Sequence, residues 1–148
     1  PSRYGGERRT RPHRRLVASR ICLAVDSLRA ACQDPMIIIM GDFNDGGDSP
    51  VIRQICAKGL TDVSAGATGS HGAHGTYKYK GRWECIDHII ASPAAAHRLH
   101  SCTVNDAPFL LEADDRYGGV QPLRTYRAWR YRRGYSDHLP LVARFAFE

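Results

Sequence analysis

The nine residues IIIMGDFND, 37–45, constrain this chain more than any other stretch. Four large apolar residues run without a spacer into a glycine, two aspartates and an asparagine. An apolar run with no alternation predicts a strand covered on both faces, here over 36–41. Asp34-Pro35 punctuates the chain ahead of it and Gly41 ends it. Upstream, Val17, Ile21, Ala24, Leu28 and Cys32 recur at spacings of three and four, which predicts a helix over 13–32, after a loop over 1–12. A helix feeding a buried strand implies a layered α/β arrangement, and polar groups at the C-terminal end of such a strand stand where α/β proteins place ligand sites. Asp42, Asn44, Asp45 and Asp48 are equally good turn formers, so the rest of the chain must decide.

Downstream, Ser49 is a good N-cap and Pro50 a good first helical residue, predicting a short helix over 50–58 that stops at Gly59. Residues 64–75 are a small-residue loop. His71 and His74 lie in it without an acidic neighbour in sequence and are read as loop polarity rather than a metal pair. TYKYKGRWECIDHIIAS predicts a hairpin, with strands over 76–79 and 82–91 and a turn at Lys80-Gly81. A short strand is expected over 107–111, a long polar segment after it, and a final strand in LPLVARFAF. At 148 residues the chain is one domain by length, and no apolar run is long enough to span a membrane. Five widely spaced cysteines with no C-x-x-C pair argue against a disulfide framework or a cysteine zinc site; most are expected to be small buried hydrophobes.

The net charge of +6 resides in residues 1–20, with seven arginines against Glu7; residues 21–148 balance at 14 basic and 14 acidic. The N-terminal arginines are read as a solvated surface. A second cluster, Arg124, Arg127, Arg130, Arg132 and Arg133, is interleaved with Tyr126, Trp129 and Tyr131. That composition suits either a solvated surface or binding to nucleic acid and other phosphates, and Arg130 and Arg132 are candidate phosphate contacts.

Two further places repeat the pattern at Gly41. In CIDHIIAS, Asp87 stands between Ile86 and Ile89, an unfavourable position for a carboxylate unless it is paired. In YSDHLPL, Asp137 and His138 precede the final strand. Aspartate, asparagine and histidine converging from three elements would suit metal-assisted hydrolysis of a phosphate ester, with oxygen ligands for Mg²⁺ and a histidine at a phosphoryl oxygen.

IMGDFN, IDHIIAS and YSDHLPL, in that order, resemble the C-terminal part of the endonuclease/exonuclease/phosphatase superfamily. It includes pancreatic DNase, apurinic-site endonucleases, neutral sphingomyelinases and inositol polyphosphate 5-phosphatases; GTYKYKGRW and DAPFLLEADDRYGG look like a bacterial branch of it. The resemblance covers essentially residues 1–148. It implies an α/β chain, α+β by segregation, forming half of a four-layer α/β/β/α sandwich whose N-terminal half is needed to complete the domain. It implies a Mg²⁺- or Mn²⁺-dependent phosphodiesterase acting on a phosphate ester, DNA and RNA included. Asp42 and Asn44 would handle the attacking water beside the metal. Asp87 would orient the catalytic His138, Asp137 would contribute to metal binding, and Asn44 and His138 would contact the phosphate. Asp45, Asp48 and His88 match no catalytic position and are expected to be turn and surface residues. The family's early asparagine and metal-binding glutamate match nothing here, so this piece by itself is expected to be inactive. The competing expectation is a non-catalytic basic module that binds nucleic acid or another polyanion.

Overall fold

The computed structural model describes residues 2–146. Helix α1 spans Glu7–Ala31, strand β1 Ile38–Asp42, helix α2 Pro50–Cys56 and strand β2 Thr61–Asp62. A hairpin of β3 (Tyr77–Tyr79) and β4 (Arg82–Glu84) follows, then β5 (Asp87–Ala91), a turn of helix α3 (Pro93–Ala96) and β6 (Leu99–Val104). Next come β7 (Leu111–Ala113) paired with β8 (Val120–Pro122), β9 (Tyr126–Arg127) paired with β10 (Arg130–Tyr131), and β11 (Leu141–Phe145). β1, β5 and β2 form one sheet in that order, and β11 pairs with β6. All pairings are antiparallel. This mixture of helices layered on sheets is the α/β class that the sequence pattern implies.

Two cores hold the elements. Ala18, Cys22 and Val25 of α1 meet Val51, Ile52 and Ile55 of α2 over Ile37, Leu60 and Ile90, so both helices cover one face of the three-stranded sheet. Ser49 caps α2 as its sequence predicts, its hydroxyl accepting the Ile52 N–H at 3.2 Å. A smaller core of Ala67, Ala73, Val104 and Leu139, with Trp83, Leu110 and Leu141 against it, joins the second half of the chain. Lys78 and Asp114, both buried, pair at 2.9 Å and fasten the β7–β8 hairpin beside β3.

Several expectations need correction. The helix begins at Glu7, not after a loop over 1–12, and it continues through Pro12. Its opening turns are held from within: the buried Arg14 guanidinium donates to the Thr10 hydroxyl at 2.6 Å and to the Glu7 carbonyl at 3.2 Å. Arg14 is therefore not part of a solvated arginine surface. β1 is not covered on both faces. Ile37 is buried, but Met40 is 72% exposed, Ile38 is exposed, and β1 lies at the sheet edge. The stretch 82–91 is two strands, because the chain leaves strand pairing at Cys85-Ile86 and passes from β3's partner into the main sheet. Residues 108–110 form a 3₁₀ turn, and the β11 partner is the unforeseen strand at Leu99–Val104. Only Cys22 among the cysteines is buried; Cys32 is exposed, and all are free thiols. Phe147, within the predicted final strand, lies outside the described residues.

Candidate active site

β5 begins Asp87-His88, and successive strand residues point to opposite faces. The two side chains therefore leave in opposite directions, and each forms its own aspartate–histidine pair.

On one face, an Asp87 carboxylate oxygen lies 2.8 Å from His138 Nδ1 and also accepts the Thr76 hydroxyl. Asp42 stands directly across the ladder from Asp87. Opposed like charges destabilise a sheet, so a cation beside them is the compensation. His138 is placed to supply it when protonated: one ligand atom each of Asp42, Asp87 and His138 lie within 4.8 Å of one another. The hydrogen bond to Asp87 lifts the His138 pKa above its ordinary value, burial opposes the rise, and the charges of Asp87, Asp42 and Asp137 add to it. Burial alone would raise Asp87; the hydrogen bonds from His138 and Thr76 outweigh it and hold that carboxyl below its usual range. His138 is placed from its flanks. The Leu139 side chain is buried in the second core, the Leu139 N–H donates to the Thr76 carbonyl at 2.7 Å, and the His138 N–H donates to the Ser136 hydroxyl at 3.0 Å. Tyr77 packs against the imidazole with ring centroids 4.9 Å apart.

Asp42 is held by the residue after next. The Asn44 backbone N–H donates to one carboxylate oxygen at 2.7 Å and its amide NH₂ to the other at 2.8 Å. This tight turn puts Asn44 at φ 53°, a left-handed conformation that asparagine tolerates better than most residues. Asp42, Asn44, Asp137 and His138 line one cleft of about 690 Å³, with Tyr77 and Tyr79 on its wall. The structure thus gathers all five predicted residues, four lining the cleft and Asp87 behind His138. Arg130 and Arg132 are not among its lining residues; they sit on the exposed β10 arm. His71 contacts Asp106 at 3.3 Å and belongs to no metal-ligating cluster among the described residues.

On the opposite face the expectation of turn and surface residues fails for Asp45 and His88, which are 4% and 2% exposed; Asp48 is exposed as expected. His88 Nδ1 is 2.7 Å from Asp62 and Nε2 is 2.8 Å from the Asp45 carbonyl. Both partners are acceptors, so both ring nitrogens carry protons and His88 is an imidazolium. The Asp45 carboxylate in turn accepts from Arg14 Nε at 2.6 Å. The turn after β1 is thereby gripped from two sides, by α1 and by β5, which fixes where Asp42 and Asn44 stand. Sequence reasoning missed Arg14, Thr76 and Tyr77. The Thr-Tyr of GTYK lies eleven residues ahead of Asp87, and only the β3–β4 hairpin brings the threonine hydroxyl back to it.

The His88–Asp62 pair has a pH signature. Burial would lower the His88 pKa, but Asp62 and the Asp45 carbonyl raise it above 6.5; burial would raise Asp62, but His88 and Ser64 hold it below 3.8. The stability gained from His88 is complete below 6.5 and is lost as pH rises through its raised folded value. That from Asp62 is complete above 3.8 and is lost as pH falls through its lowered one. The difference in urea midpoint between the protein and Asp62→Asn is therefore expected to be largest between 3.8 and 6.5 and to shrink on both sides. A difference that does not change with pH contradicts the imidazolium.

Two solved structures from Bacteroides thetaiotaomicron share the fold. One is a mannosyl-6-phosphatase, 20% identical, with a TM-score of 0.54 over 86% of this chain and 44% of its own. The other is an endonuclease/exonuclease/phosphatase family protein, 20% identical, with a TM-score of 0.55 over 86% of this chain and 41% of its own. The chain thus spans less than half the length of these structures. No curated protein shows significant sequence similarity to it. The model of the Endonuclease/Exonuclease/phosphatase family matches residues 1–146, and the chain belongs to that family.

Proposed function

We propose that this chain is the C-terminal portion of a Mg²⁺- or Mn²⁺-dependent phosphodiesterase that directs water onto phosphorus. The observation that carries the reading is the half-buried Asp87–His138 pair set against the Asp42 carboxylate. A non-catalytic polyanion module gives no reason to place three acidic side chains around one histidine. The donor set fits a hard cation in part. Asp87 takes Thr76 and His138 on one oxygen and serves the histidine, and the resemblance assigns the ion to Asp42, the Asn44 amide oxygen and the exposed Asp137 carboxylate. Those three would hold it, and a bound divalent ion would supply Lewis-acid charge at a phosphoryl oxygen.

The protein's own residues divide the remaining work. Asp42, fixed by both Asn44 donors, orients the water and accepts its proton. His138 uses Nδ1 on Asp87, so Nε2 is the ring nitrogen free to donate to a phosphoryl oxygen as its charge grows. Asp87 fixes the orientation of the ring and stabilises the imidazolium.

The same reading makes this chain one part of its domain. β1 has an open edge beside the exposed Ile38 and Met40, and the chain spans less than half the length of the solved structures whose fold it shares. We expect residues 1–148 alone to turn over a chromogenic phosphodiester at least about 10²-fold more slowly than the full-length protein, since lost positioning of the reacting groups is worth that much. The full-length activity should vanish in chelator and return with Mg²⁺ or Mn²⁺. Robust turnover by residues 1–148, abolished by Asp42→Ala, would show that this portion suffices.

A further inference from the structure

The segment leading into Asp137 and His138 carries a feature that the cleft chemistry does not use. β9 and β10 form a hairpin with Ala128 and Trp129 at its tip. Ala128 has φ 53°, as a tight two-residue hairpin turn requires, and Trp129 is 99% exposed. A tryptophan that touches nothing adds nothing to the core. Behind it, the exposed Tyr126 and Tyr131 pair across the ladder with ring centroids 5.5 Å apart. Arg127 and Arg130 form the next pair, on the opposite face of the hairpin. Arg132 is tied to Glu112 at 3.1 Å, while Arg127, Arg130 and Arg133 have no acidic partner among the described residues.

This hairpin is continuous with the cleft. Its base is closed by Thr125 Oγ1 donating to the Tyr135 carbonyl and the Tyr135 N–H donating to the Leu123 carbonyl. At its foot the Arg124 guanidinium lies 5.5 Å over the Tyr77 ring, the ring that packs on His138. Aromatic faces and guanidinium groups thus follow one another from His138 out to Trp129. Trp129, Tyr126, Tyr131, Arg127 and Arg130 are not among the residues lining the cleft that holds His138. A small phosphate ester seated in the cleft leaves them unused; a polymer can engage both.

We propose that the hairpin is a binding platform for single-stranded nucleic acid. Unpaired bases stack on Trp129 and on Tyr126 and Tyr131, and the phosphates pair with Arg127, Arg130 and Arg133. The strand continues past Arg124 and Tyr77 into the cleft, a last step that rests on the hydrolase reading above. The exposed ring faces favour a single strand over a duplex, whose base faces are already stacked. They favour it over a lipid surface because the tip offers only Ala128 and Trp129 between two arginines, little area for insertion.

The test uses binding, read in chelator so that no turnover intervenes. Trp83→Phe leaves Trp129 as the sole tryptophan, since the sequence has two. Oligothymidylate should quench its emission. Trp129→Ala should weaken oligothymidylate binding about 5- to 100-fold, and Trp129→Phe should restore most of the loss. Arg127→Ala and Arg130→Ala should each flatten the dependence of log Kd on log salt by about 0.7. The tip side chain is bare, so these variants should keep the parent's circular dichroism. Unchanged affinity in Trp129→Ala, equal affinity for a duplex of the same length, or a blue shift with phosphatidylserine vesicles and no response to oligothymidylate would each overturn the proposal. Hydrolysis of a chromogenic phosphodiester is measured apart from this, so either reading can fail while the other stands.

Discussion

Replacing His138 by alanine in the full-length protein is expected to lower kcat for a phosphodiester by about 10²- to 10⁴-fold, with KM changed far less. The size follows from when the interaction forms. In the proposed reaction Nε2 would meet a phosphoryl oxygen whose negative charge is greatest in the transition state, and the Asp87 hydrogen bond, with the charges of Asp87, Asp42 and Asp137, favours the protonated ring. Asp42→Ala should cost a comparable factor, since it removes the group proposed to take the water's proton and one of the two carboxylates proposed to hold the ion. Asp87→Asn keeps the size of the side chain but removes the charge that raises the His138 pKa, so its loss should grow as pH rises above 6.5. The measurement is the steady-state rate against substrate concentration and pH, in saturating Mg²⁺. Full activity in His138→Ala and Asp42→Ala would reject these roles.

The largest effect on stability is expected far from the reacting atoms. Arg14 and Asp45 are 1% and 4% exposed and joined at 2.6 Å. Asp45→Ala strands a buried guanidinium and should reduce stability by about 3–5 kcal/mol, a large part of the 5–15 kcal/mol typical of a domain. Joint replacement, Arg14→Met with Asp45→Asn, removes both charges and should recover most of that loss, because desolvating the pair offsets much of its attraction. Urea midpoints at constant m-value decide it. Equal losses in Asp45→Ala and in the double variant would mean that packing around the pair, not its charge, is what matters.

What could be read in the sequence, and what could not, divides by the distance over which the cause acts. The periodicity from Val17 to Cys32 and the Ser49-Pro50 start of α2 are local signals, and the helices form there. Asp87 announced itself because a carboxylate among isoleucines needs a partner, and His138 lies 2.8 Å from it, 51 residues on. The start of α1 was hidden because Gly6 gives no side-chain cap and Pro12 looks like a break, while the Arg14 contacts that hold the first turns depend on the folded helix. Asp45 and His88 were misplaced for a related reason. An aspartate after Asn44 suits a turn, and its arginine is 31 residues away on α1. The exposure of Met40 had no local sign at all, since whether a strand is covered depends on what lies next to it.

The proposed hydrolysis requires Asp87 to act through His138, and a double-mutant cycle tests that dependence most directly. Asp87→Asn, His138→Ala and the double variant are compared by kcat/KM on a chromogenic phosphodiester with Mg²⁺, in the full-length protein. If Asp87 serves only to orient and charge His138, the double variant should lose no more than His138→Ala alone, within about threefold. Losses that multiply across the two sites would contradict the account, because the two residues would then act independently.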